Sequence, residues 1–377
     1  MKAKILTLAT RHSTGGAQMN TYLVASKLAE RGYNSQACYL FKHGEMEIDS
    51  SVPCNIFCMN KASALNVIPS IFRFLVFCIK FKPEVIIGFH PLANIVAVIY
   101  KFFNKDVSVL ATQRNPAISM SGFTRRIEKF FGSHFYASNI CVSNAVKASF
   151  SEYPQAYQNK FIVIHNGIDG FDTALESKVF SRSFFSLDTN DFLIGFIGRI
   201  HHQKNPLFLV DVAESLRNKN SDQKVNFVFV VAGEGDLESE FRELIKNKNL
   251  DEYFNFVGNL SGDLVPHFFN AIDTFILPSL YEGFGRTIVE NMFFGNPMIL
   301  NDLEVTREVA GDLGYFTKLD PDYCVDTILA LYDKSCTGDL VLESEKIKAR
   351  ANSFSVSKMI DGYQNQIINV SKQCSED

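Results

Sequence analysis

The sequence lacks several features that mark particular protein classes. Its 377 residues include no tryptophan, and none of its cysteines forms a Cys-x-x-Cys pair or a Cys/His spacing typical of metal ligands. The cysteines are Cys38, Cys54, Cys58, Cys78, Cys141, Cys324, Cys336 and Cys374. In a chain of this length, isolated cysteines are typical of reduced thiols in a cytosolic protein.

Long apolar segments are also missing. Arg73 and Lys80 interrupt the stretch VIPSIFRFLVFCIKF, so no run of about 18 uncharged apolar residues remains. The opening, MKAKILTLAT, is basic and then apolar like a signal peptide, but its apolar part is short and Arg11 and His12 follow. We therefore predict no transmembrane helix, and a first β-strand at this position.

Acidic residues are scarce in the first half of the chain. Residues 1–180 carry a net charge of +8 and the remainder −12, although the whole chain has only −4. A basic half is typical of a protein that meets something anionic there, such as a membrane surface or a phosphorylated substrate. Charge scatter between two domains is the alternative.

The order of apolar and amphipathic stretches predicts the fold class. Short apolar strands alternate with amphipathic helices, which indicates an α/β protein with parallel sheets, and the length favours two domains. In the second half we predict strands at 192–198, 226–232, 253–257, 273–277 and 297–300, and helices at 206–219, 236–248, 263–271 and 285–295. Two Rossmann-like halves of this kind predict a nucleotide-binding architecture with a cleft between the domains.

A stretch without clear periodicity separates the two halves. Residues 170–190 have no regular apolar pattern and precede the strand-like DFLIGFIGRI. We predict domains over 1–172 and 191–352, a hinge at 173–190, and a C-terminal helix within 353–377 that can pack back on the first domain.

The stretch GFIGRIHHQKNP places two cations after a predicted strand. Arg199 and Lys204 follow the strand, and Asn205 and Pro206 have the residue types of a helix N-cap and first helical position. Cations beside a helix N-terminus form an anion site, because Arg grips phosphate oxygens bidentately and Lys adds a point charge. Solvated basic residues in a loop are the alternative.

The stretch SLYEGFGRTIVENMFFGNP places two carboxylates where a strand leads into a helix. A buried carboxylate is costly unless it is paired, so Glu282 and Glu290 should meet basic groups or a ligand. Vicinal hydroxyls of a ribose or another sugar are suitable partners, and Gly283 and Gly285 allow backbone amides to approach a ligand closely. In the alternative, Glu282 pairs with Arg286 at i,i+4 spacing and Glu290 caps a buried loop.

Two further motifs are weak. Gly233-Glu234-Gly235 lacks the third glycine of a dinucleotide fingerprint, so a capped turn is the better interpretation and an oxidoreductase is disfavoured. Asp320-Pro321-Asp322 is the only Asp-x-Asp candidate for a metal. We predict that Asp320 is a helix N-cap instead, and that the site needs no metal.

Together these stretches resemble a known family. GRIHHQKNP, VVAGEGDLESEF, FVGN and PSLYEGFGRTIVENMFFGNPMI, in this order and spacing, look like the retaining glycosyltransferases of family 4, which have the GT-B fold. In the first half, TGGAQMNTYLVASKLAERGY resembles the family's glycine loop and following helix, and CVSNAVKASF with FIVIHNGID resembles its segment before the hinge. The similarity covers nearly the whole chain and implies a group 1 type enzyme of bacterial surface polysaccharide synthesis, lipopolysaccharide or capsule.

The resemblance implies a donor site for a nucleoside-diphosphate sugar. Arg199 and Lys204 would hold the diphosphate, Glu290 the ribose, and Glu282 the sugar. The backbone of Gly283, Phe284 and Gly285 would lie beside the sugar. Gly16, in the glycine loop with Gly15, would contact the distal phosphate. Val257 and Gly258 would flank the base.

Three positions of the first half depart from the family pattern or match it loosely. Gln18 stands where the family often has an acidic residue that contacts the acceptor. His90 approximates a histidine near the reaction centre, although a lone histidine at a strand end is commonly structural. Arg114 lies at another strand end and faces either the acceptor or a phosphate in this interpretation.

The implied reaction is hexosyl or N-acetylhexosaminyl transfer with retention of anomeric configuration. The expected donor is a UDP- or GDP-sugar, the expected acceptor a lipid-linked glycan, and neither a cofactor nor nucleic acid is expected. Arg199, Lys204, Glu282 and His90 are the candidate catalytic residues. A nucleotide-sugar epimerase of the same fold and a non-catalytic sugar-nucleotide-binding protein are the alternatives.

Two segments of the first half interleave phenylalanine with cations. SALNVIPSIFRFLVFCIKFK and SGFTRRIEKFFGSHFY have the composition of a peripheral membrane face, which predicts a cytoplasmic protein that contacts the inner face of an anionic membrane. A buried helix with snorkelling cations is the alternative, and for the first segment it is the preferred one.

Overall fold

The computed structural model describes residues 2–12, 16–42, 52–57, 64–169, 177–220, 225–262 and 264–373. Contacts within the chain divide it into two compact units. The first unit comprises Met1–Gly167 together with Val356–Asp377, and the second comprises Ile168–Ser355.

The first unit is built on a parallel sheet. Its strands are β1 (Lys4–His12), β2 (Asn34–Lys42), β3 (Cys54–Ile56), β4 (Val85–Gly88), β5 (Ser108–Gln113), β6 (Ser138–Cys141) and β7 (Phe161–Val163). Their order across the sheet is β3-β2-β1-β4-β5-β6-β7. The strands β4, β5 and β6 are buried along their whole length, as expected for parallel strands covered on both faces.

Helices cover this sheet. They are α1 (Gly16–Glu30), α2 (Ala64–Phe81), α3 (Pro91–Phe103), α4 (Gly122–His134), α5 (Asn144–Ala148), α6 (Gln155–Gln158) and, from the end of the chain, α15 (Val356–Gln373). Met359, Ile360 and Tyr363 of α15 lie in the same core cluster as Val24 and Leu28 of α1. The C-terminal helix is therefore part of the first unit's core.

The second unit has a parallel sheet of its own. Its strands are β8 (Phe192–Ile197), β9 (Phe227–Ala232), β10 (Phe254–Gly258), β11 (Thr274–Leu277), β12 (Met298–Asn301) and β13 (Gly314–Thr317), in the order β10-β9-β8-β11-β12-β13. Its helices are α7 (Lys178–Ser183), α8 (Phe208–Lys219), α9 (Glu238–Asn247), α10 (Leu264–Ala271), α11 (Arg286–Phe294), α12 (Glu304–Ala310), α13 (Pro321–Thr337) and α14 (Val341–Ala351).

The predicted fold class is confirmed. Each strand predicted in the second half is present within about two residues, and so are the four predicted helices. The strand β13 was not predicted, because it is a short, half-buried strand at the edge of the sheet and has only a weak apolar signal.

Arg182 fixes part of the predicted hinge to the second unit. Its Nη1 donates to the carbonyls of Asp188, Thr189 and Asp191 at 2.8–3.1 Å, and its Nη2 lies 2.7 Å from Asp273 Oδ2. Residues 178–190 are thereby packed against the rest of the second unit, to which they belong, whereas 173–176 lie outside the described residues. The role of 173–190 as a hinge stays a prediction.

A buried helix was the preferred interpretation of the segment SALNVIPSIFRFLVFCIKFK, which contains α2, and it is wrong for the outer face of this helix. Ile68 and Phe72 keep 77% and 65% of their surface exposed, although Phe74 and Cys78 on the opposite side are buried. Within the described ranges, no helix is both long and apolar enough to cross a membrane.

Candidate active site

The candidate residues of the second unit lie at the point where its strand order reverses. The chain runs from β8 through β9 to β10 on one side, and from β11 through β12 to β13 on the other. The loops after β8 and β11 therefore leave neighbouring strands at the same edge of the sheet, where open α/β sheets bind ligands. Arg199 and Lys204 follow β8, and Glu282 follows β11.

Lys204 and Glu282 form a buried ion pair between these two loops. Lys204 Nζ lies 2.5 Å from Glu282 Oε1, and their side chains are 14% and 7% exposed. The hydroxyl of Ser279, at the end of the same loop, donates to Glu282 Oε1 at 2.7 Å. Removal of either charge would leave the other buried without its counter-ion, which is costly.

Gln203 connects the same loops and was missed by the sequence analysis. Its Nε2 donates to the Tyr281 carbonyl at 3.1 Å, and its backbone carbonyl accepts from Leu280 N at 2.8 Å. Its Oε1 accepts from Arg199 Nη2 at 3.2 Å, so it also orients the exposed Arg199 side chain. A single glutamine among polar loop residues gives no pattern that could predict this role.

The Gly233-Glu234-Gly235 turn supports the backbone on both sides of Arg199. A Cβ on Gly233 would lie 1.9 Å from the Gly198 carbonyl oxygen, and one on Gly235 would lie 2.1 Å from that of Ile200. Ile200 N donates to the Glu234 carbonyl at 2.9 Å, and Leu237 N donates to the Ile200 carbonyl at 3.1 Å. The predicted cap is wrong, because α9 follows with Leu237 as N-cap residue and no side-chain cap hydrogen bond, and glycine is needed because two backbone segments approach closely.

Glu290 forms an ion pair with Arg286, the residue that the sequence alternative assigned to Glu282. Arg286 Nε donates to Glu290 Oε1 at 2.6 Å within α11, one turn apart. The proposed pairing of Glu282 with Arg286 is therefore wrong, because Glu282 has Lys204 as its partner instead. Glu290 keeps 10% of its side chain exposed and Arg286 keeps 34%, so Glu290 is nearly buried beneath its cation.

The loop before α11 is closely packed. Gly283, Phe284 and Gly285 are buried, and Gly285 has φ 81°, a left-handed conformation that favours glycine. The Phe284 ring packs edge-to-face against Phe354 with centroids 5.4 Å apart. The backbone next to Glu282 is thus held in one conformation.

The predicted N-cap at Asn205 is wrong. Asn205 ends a 3₁₀ turn, His202–Lys204, in a left-handed conformation with φ 51°, and α8 starts at Phe208 without a side-chain cap. The turn brings Lys204 to Glu282, and asparagine tolerates the left-handed exit better than most residues. The helix N-terminus therefore begins four residues after Lys204.

Other predicted positions of the second unit are accounted for. Val257 is a half-buried residue of β10, and the carbonyl of Gly258 accepts from Gly233 N at 2.7 Å. Asp320 is confirmed as an N-cap because its Oδ1 accepts from the backbone of Asp322 and Tyr323. In the described part of the chain, no cluster of three His, Cys, Asp or Glu side chains could hold a metal ion.

In the first unit, His90 occupies the corresponding point of the sheet. The strand order reverses between β1 and β4, and His90 lies just after β4, before α3. Burial, with smaller contributions from the nearby Arg114 and Arg11, lowers the pKa of His90 from 6.5 to about 4, so the ring is neutral at pH 7. Its Nε2 is buried and has no hydrogen-bond partner among the described residues.

Arg114 is held in place beside His90. Its guanidinium lies over the Phe89 ring, 5.4 Å from the centroid, and its charge opposes the rise that burial causes in the pKa of the Tyr363 hydroxyl of α15. Arg114 and His90 both line a cavity of about 610 Å³ in the first unit. Its other walls include Leu92, Ile95, Met120, Phe123 and Ile127 from α3, α4 and the loop between β5 and α4. The cavity therefore has the Arg114 cation beside an apolar wall.

The remaining first-unit positions are less informative. Gln18 is half-buried in α1 and does not line this cavity, while its carbonyl accepts from Tyr39 Oη at 3.0 Å. Gly16 is the exposed first residue of α1, with open space where a Cβ would stand. Gly15 lies outside the described residues.

A buried carboxylate beneath the cavity was also missed. Glu128 of α4 accepts hydrogen bonds from Gln113 Nε2 at 2.6 Å, Tyr136 Oη at 2.9 Å and Tyr157 Oη at 3.3 Å. Burial raises the pKa of Glu128, although these hydrogen bonds oppose the shift. Because Gln113 precedes Arg114 and lines the cavity, this network ties α4 to the strand that carries Arg114.

Comparison with known families identifies both halves. The model of the glycosyl transferases group 1 matches residues 178–334, and that of glycosyltransferase family 4 matches residues 14–170. A UDP-Gal:alpha-D-GlcNAc-diphosphoundecaprenol alpha-1,3-galactosyltransferase from Escherichia coli is 26% identical over 59% of this chain and 57% of its own length. An uncharacterized glycosyltransferase from Methanocaldococcus jannaschii is also 26% identical, over 51% of this chain and 50% of its own. The chain thus matches only about half the length of these curated relatives.

Solved structures share the fold over nearly the whole chain. Anabaena HepE, crystallised with UDP and glucose, superposes with a TM-score of 0.80 over 97% of this chain and 100% of its own. Their sequences are 18% identical, so this similarity concerns the fold alone.

Proposed function

Because the chain belongs to the family 4 glycosyltransferases of the GT-B fold, we propose that it transfers a hexosyl or N-acetylhexosaminyl group from a nucleoside-diphosphate sugar to a lipid-linked glycan, with retention of configuration. The observation that carries this proposal is the buried Lys204–Glu282 pair between the loops after β8 and β11. A charge pair at a ligand-binding sheet edge fits a ligand that presents both phosphates and hydroxyls.

In this proposal the donor replaces the contacts within the ion pair. Lys204 turns to a phosphate oxygen, and Glu282 accepts from hydroxyls of the sugar. Arg199 is exposed and its guanidinium has further N–H donors for the diphosphate. Glu290 accepts from the ribose, with Arg286 as its counter-ion. The backbone of Gly283, Phe284 and Gly285, with Val257 at the base, completes the part of the proposed donor site that the second unit supplies.

Charge development on the leaving group explains how these cations would accelerate transfer. The bond between the anomeric carbon and the phosphate oxygen breaks, so negative charge grows on the departing diphosphate. Arg199 and Lys204 stabilise that charge more strongly in the transition state than in the ground state. The hydrogen bonds of Gln203 and the Gly233–Gly235 turn preorganise Arg199 for this role.

Two relatives support the choice of substrates. The E. coli relative is named for a UDP-galactose donor and a diphosphoundecaprenol-linked acceptor, and HepE was crystallised with UDP. We therefore propose a UDP-sugar ahead of a GDP-sugar, and a polyprenyl-diphosphate-linked glycan as acceptor. His90 and Arg114 at the first-unit cavity are the proposed acceptor residues, and Gln18 is a weaker candidate because it does not line that cavity.

Such an acceptor would place the enzyme on the cytoplasmic face of a membrane. Lipid-linked glycans stay anchored in the bilayer by their apolar chain, so the enzyme that extends them must work at its surface. The basic composition of residues 1–180 supports this location.

A donor screen followed by an acceptor assay tests the proposal. UDP-, GDP- and ADP-sugars are screened for thermal stabilisation, since a ligand at a hundred times its Kd adds about 2.7 kcal/mol to the free energy of unfolding. The stabilising donor is then incubated with and without a lipid-linked glycan. Release of nucleotide that depends on the acceptor supports transfer, whereas an epimerised sugar nucleotide formed from donor alone supports the epimerase alternative.

A further inference from the structure

Three neighbouring helices of the first unit share an exposed apolar surface. The helix α2 contacts α3, and α3 contacts α4, because the connections β3–β4, β4–β5 and β5–β6 all step in one direction across the sheet. Their exposed large apolar side chains, which we call the α2–α4 face, are Ile68, Phe72, Val76, Ile79, Phe102, Phe103, Phe123 and Phe130. This face is the main apolar surface that the described residues of the first unit expose.

The helix α2 contributes a continuous apolar stripe. Ile68, Phe72, Val76 and Ile79 recur at intervals of four, four and three residues, so they lie along one side of the helix over its whole length. A stripe of this kind in a water-soluble protein marks a surface that meets an apolar partner.

The exposed charges on the helices α2, α3 and α4 have one sign. The helices α2 and α3 contain no acidic residue, and the only one in α4, Glu128, is buried. Exposed cations flank the apolar side chains: Arg73, Lys80, Arg125, Arg126 and Lys129. Apolar side chains among cations, without exposed carboxylates on the three helices, match the headgroup region of an anionic bilayer, while the exposed Glu84 and Asp106 lie in the loops after α2 and α3.

We propose that the α2–α4 face docks on an anionic membrane, with its apolar side chains in the interface and its cations on lipid phosphates. This inference rests on the proposed function, because a lipid-linked acceptor must be reached at the bilayer. The cavity with Arg114 is lined by Leu92 and Ile95 of α3 and by Phe123 and Ile127 of α4. It therefore lies between two of the docking helices and gives the acceptor's phosphate a route to Arg114.

A second copy of the chain fits this face poorly. Two α2–α4 faces brought together would set cations against cations, and like charges across an interface are unfavourable. An anionic lipid surface instead neutralises every cation and accepts every apolar side chain.

Vesicle binding by the full chain tests the proposal. Phosphatidylcholine vesicles with and without phosphatidylglycerol are sedimented with wild type, with Phe72→Ser/Ile79→Ser and with Lys80→Gln/Arg125→Gln/Arg126→Gln. The matched control is Val341→Ser/Leu342→Ser, an exposed apolar pair of α14 that lies beside Glu343 and Glu345. Wild type and control should bind the anionic vesicles equally, and both other variants should lose about tenfold or more in partitioning. Thermal melts establish that each variant folds.

Two results would overturn docking on lipid. The first is a wild-type protein that does not sediment with vesicles containing phosphatidylglycerol. The other is a dimer in analytical ultracentrifugation that Phe72→Ser/Ile79→Ser disrupts while vesicle binding is unchanged. Assays with a short soluble acceptor separate this failure from that of the proposed function. Vesicle binding without sugar transfer would support docking and refute the proposed transferase activity. Sugar transfer without vesicle binding would support the transferase activity and refute docking.

Discussion

At the scale of single residues, the Lys204–Glu282 pair is costly to maintain for stability alone. Two charged groups with 14% and 7% exposure lose much of their hydration, and a buried ion pair often stabilises a fold no better than apolar residues of similar size. Its position at the strand-order reversal fits the proposed second use, because both groups are kept desolvated and close to the proposed donor site. Stability and activity should therefore respond differently to substitution of the pair.

A single and a double substitution of the pair separate its roles in stability and in activity. Lys204→Met should lower the free energy of unfolding by about 3 kcal/mol because Glu282 stays buried without a counter-ion. Adding Glu282→Gln should recover most of this loss, since the neutral amide needs no cation. Turnover should fall about tenfold or more in both variants, as in Arg199→Ala, because each has lost a charged contact to the donor. Urea unfolding and steady-state kinetics measure these effects, and recovery of turnover in the double variant would refute the ligand role.

His90 should make the first unit sensitive to acid. Its pKa is about 4 in the folded chain and 6.5 in the reference state, so between these values the unfolded chain binds more protons. Stability is therefore complete above pH 6.5 and declines as the pH falls to about 4, by at most roughly 3 kcal/mol. In His90→Gln this part of the decline should disappear from the urea unfolding curves. His134→Gln, exposed on α4, is the control, and an equal change in both variants would contradict the assignment.

The sequence located some of the site residues and not others, for physical reasons. Glu282 and Glu290 stand out because carboxylates are rare among apolar residues at a strand–helix junction. Gln203 and Glu128 give no such signal, since their roles arise from partners 78 and 8 to 29 residues away along the chain. The partner of Glu282 was missed for the same reason, because Lys204 is also 78 residues away.

At the scale of elements, the strands were predictable and the turns between them less so. The strand β8, for example, is an apolar run bounded by polar residues, and such runs define a buried parallel strand without further context. Asn205 shows the opposite case. Asparagine is suited both to an N-cap and to a left-handed turn, and here the contact between Lys204 and Glu282 requires the turn.

The Gly233–Gly235 turn should transmit changes to Arg199. In Gly235→Ala the new Cβ would lie 2.1 Å from the Ile200 carbonyl oxygen, so the backbone beside Arg199 must shift. We expect a loss of about 1–3 kcal/mol in the free energy of unfolding and about a tenfold lower kcat/KM for the donor. Gly122→Ala is the control, because nothing lies within 4 Å of its new Cβ. Thermal melts and donor kinetics provide the comparison, and normal kinetics for Gly235→Ala would show that the turn does not position Arg199.

At the scale of the whole molecule, the C-terminal helix completes the core of the first unit, which the N-terminal part of the chain otherwise forms. The helix α15 contributes Met359, Ile360, Tyr363, Ile367 and Val370 to the first unit's core. Tyr363 also stacks near Phe89, with centroids 6.2 Å apart, and its hydroxyl is close enough to Arg114 for the two groups to interact electrostatically. A residue near the C-terminus thereby lies beside a cation proposed to bind the acceptor, a link that no local sequence pattern could reveal.

Tyr363→Phe tests this long-range link. Without the hydroxyl, Arg114 loses a polar neighbour, so we expect KM for the acceptor to rise about threefold to tenfold while KM for the donor stays unchanged. Tyr100→Phe is the matched control: Tyr100 is also a buried tyrosine of the first unit, and its hydroxyl donates to the Cys78 carbonyl at 3.2 Å, away from the cavity-lining residues. Both variants remove one buried hydroxyl, so similar losses of stability are expected in thermal melts. Only Tyr363→Phe should weaken acceptor binding, because only its hydroxyl lies beside a residue of the cavity, and equal acceptor kinetics in the two variants would leave Arg114 without a role in acceptor binding.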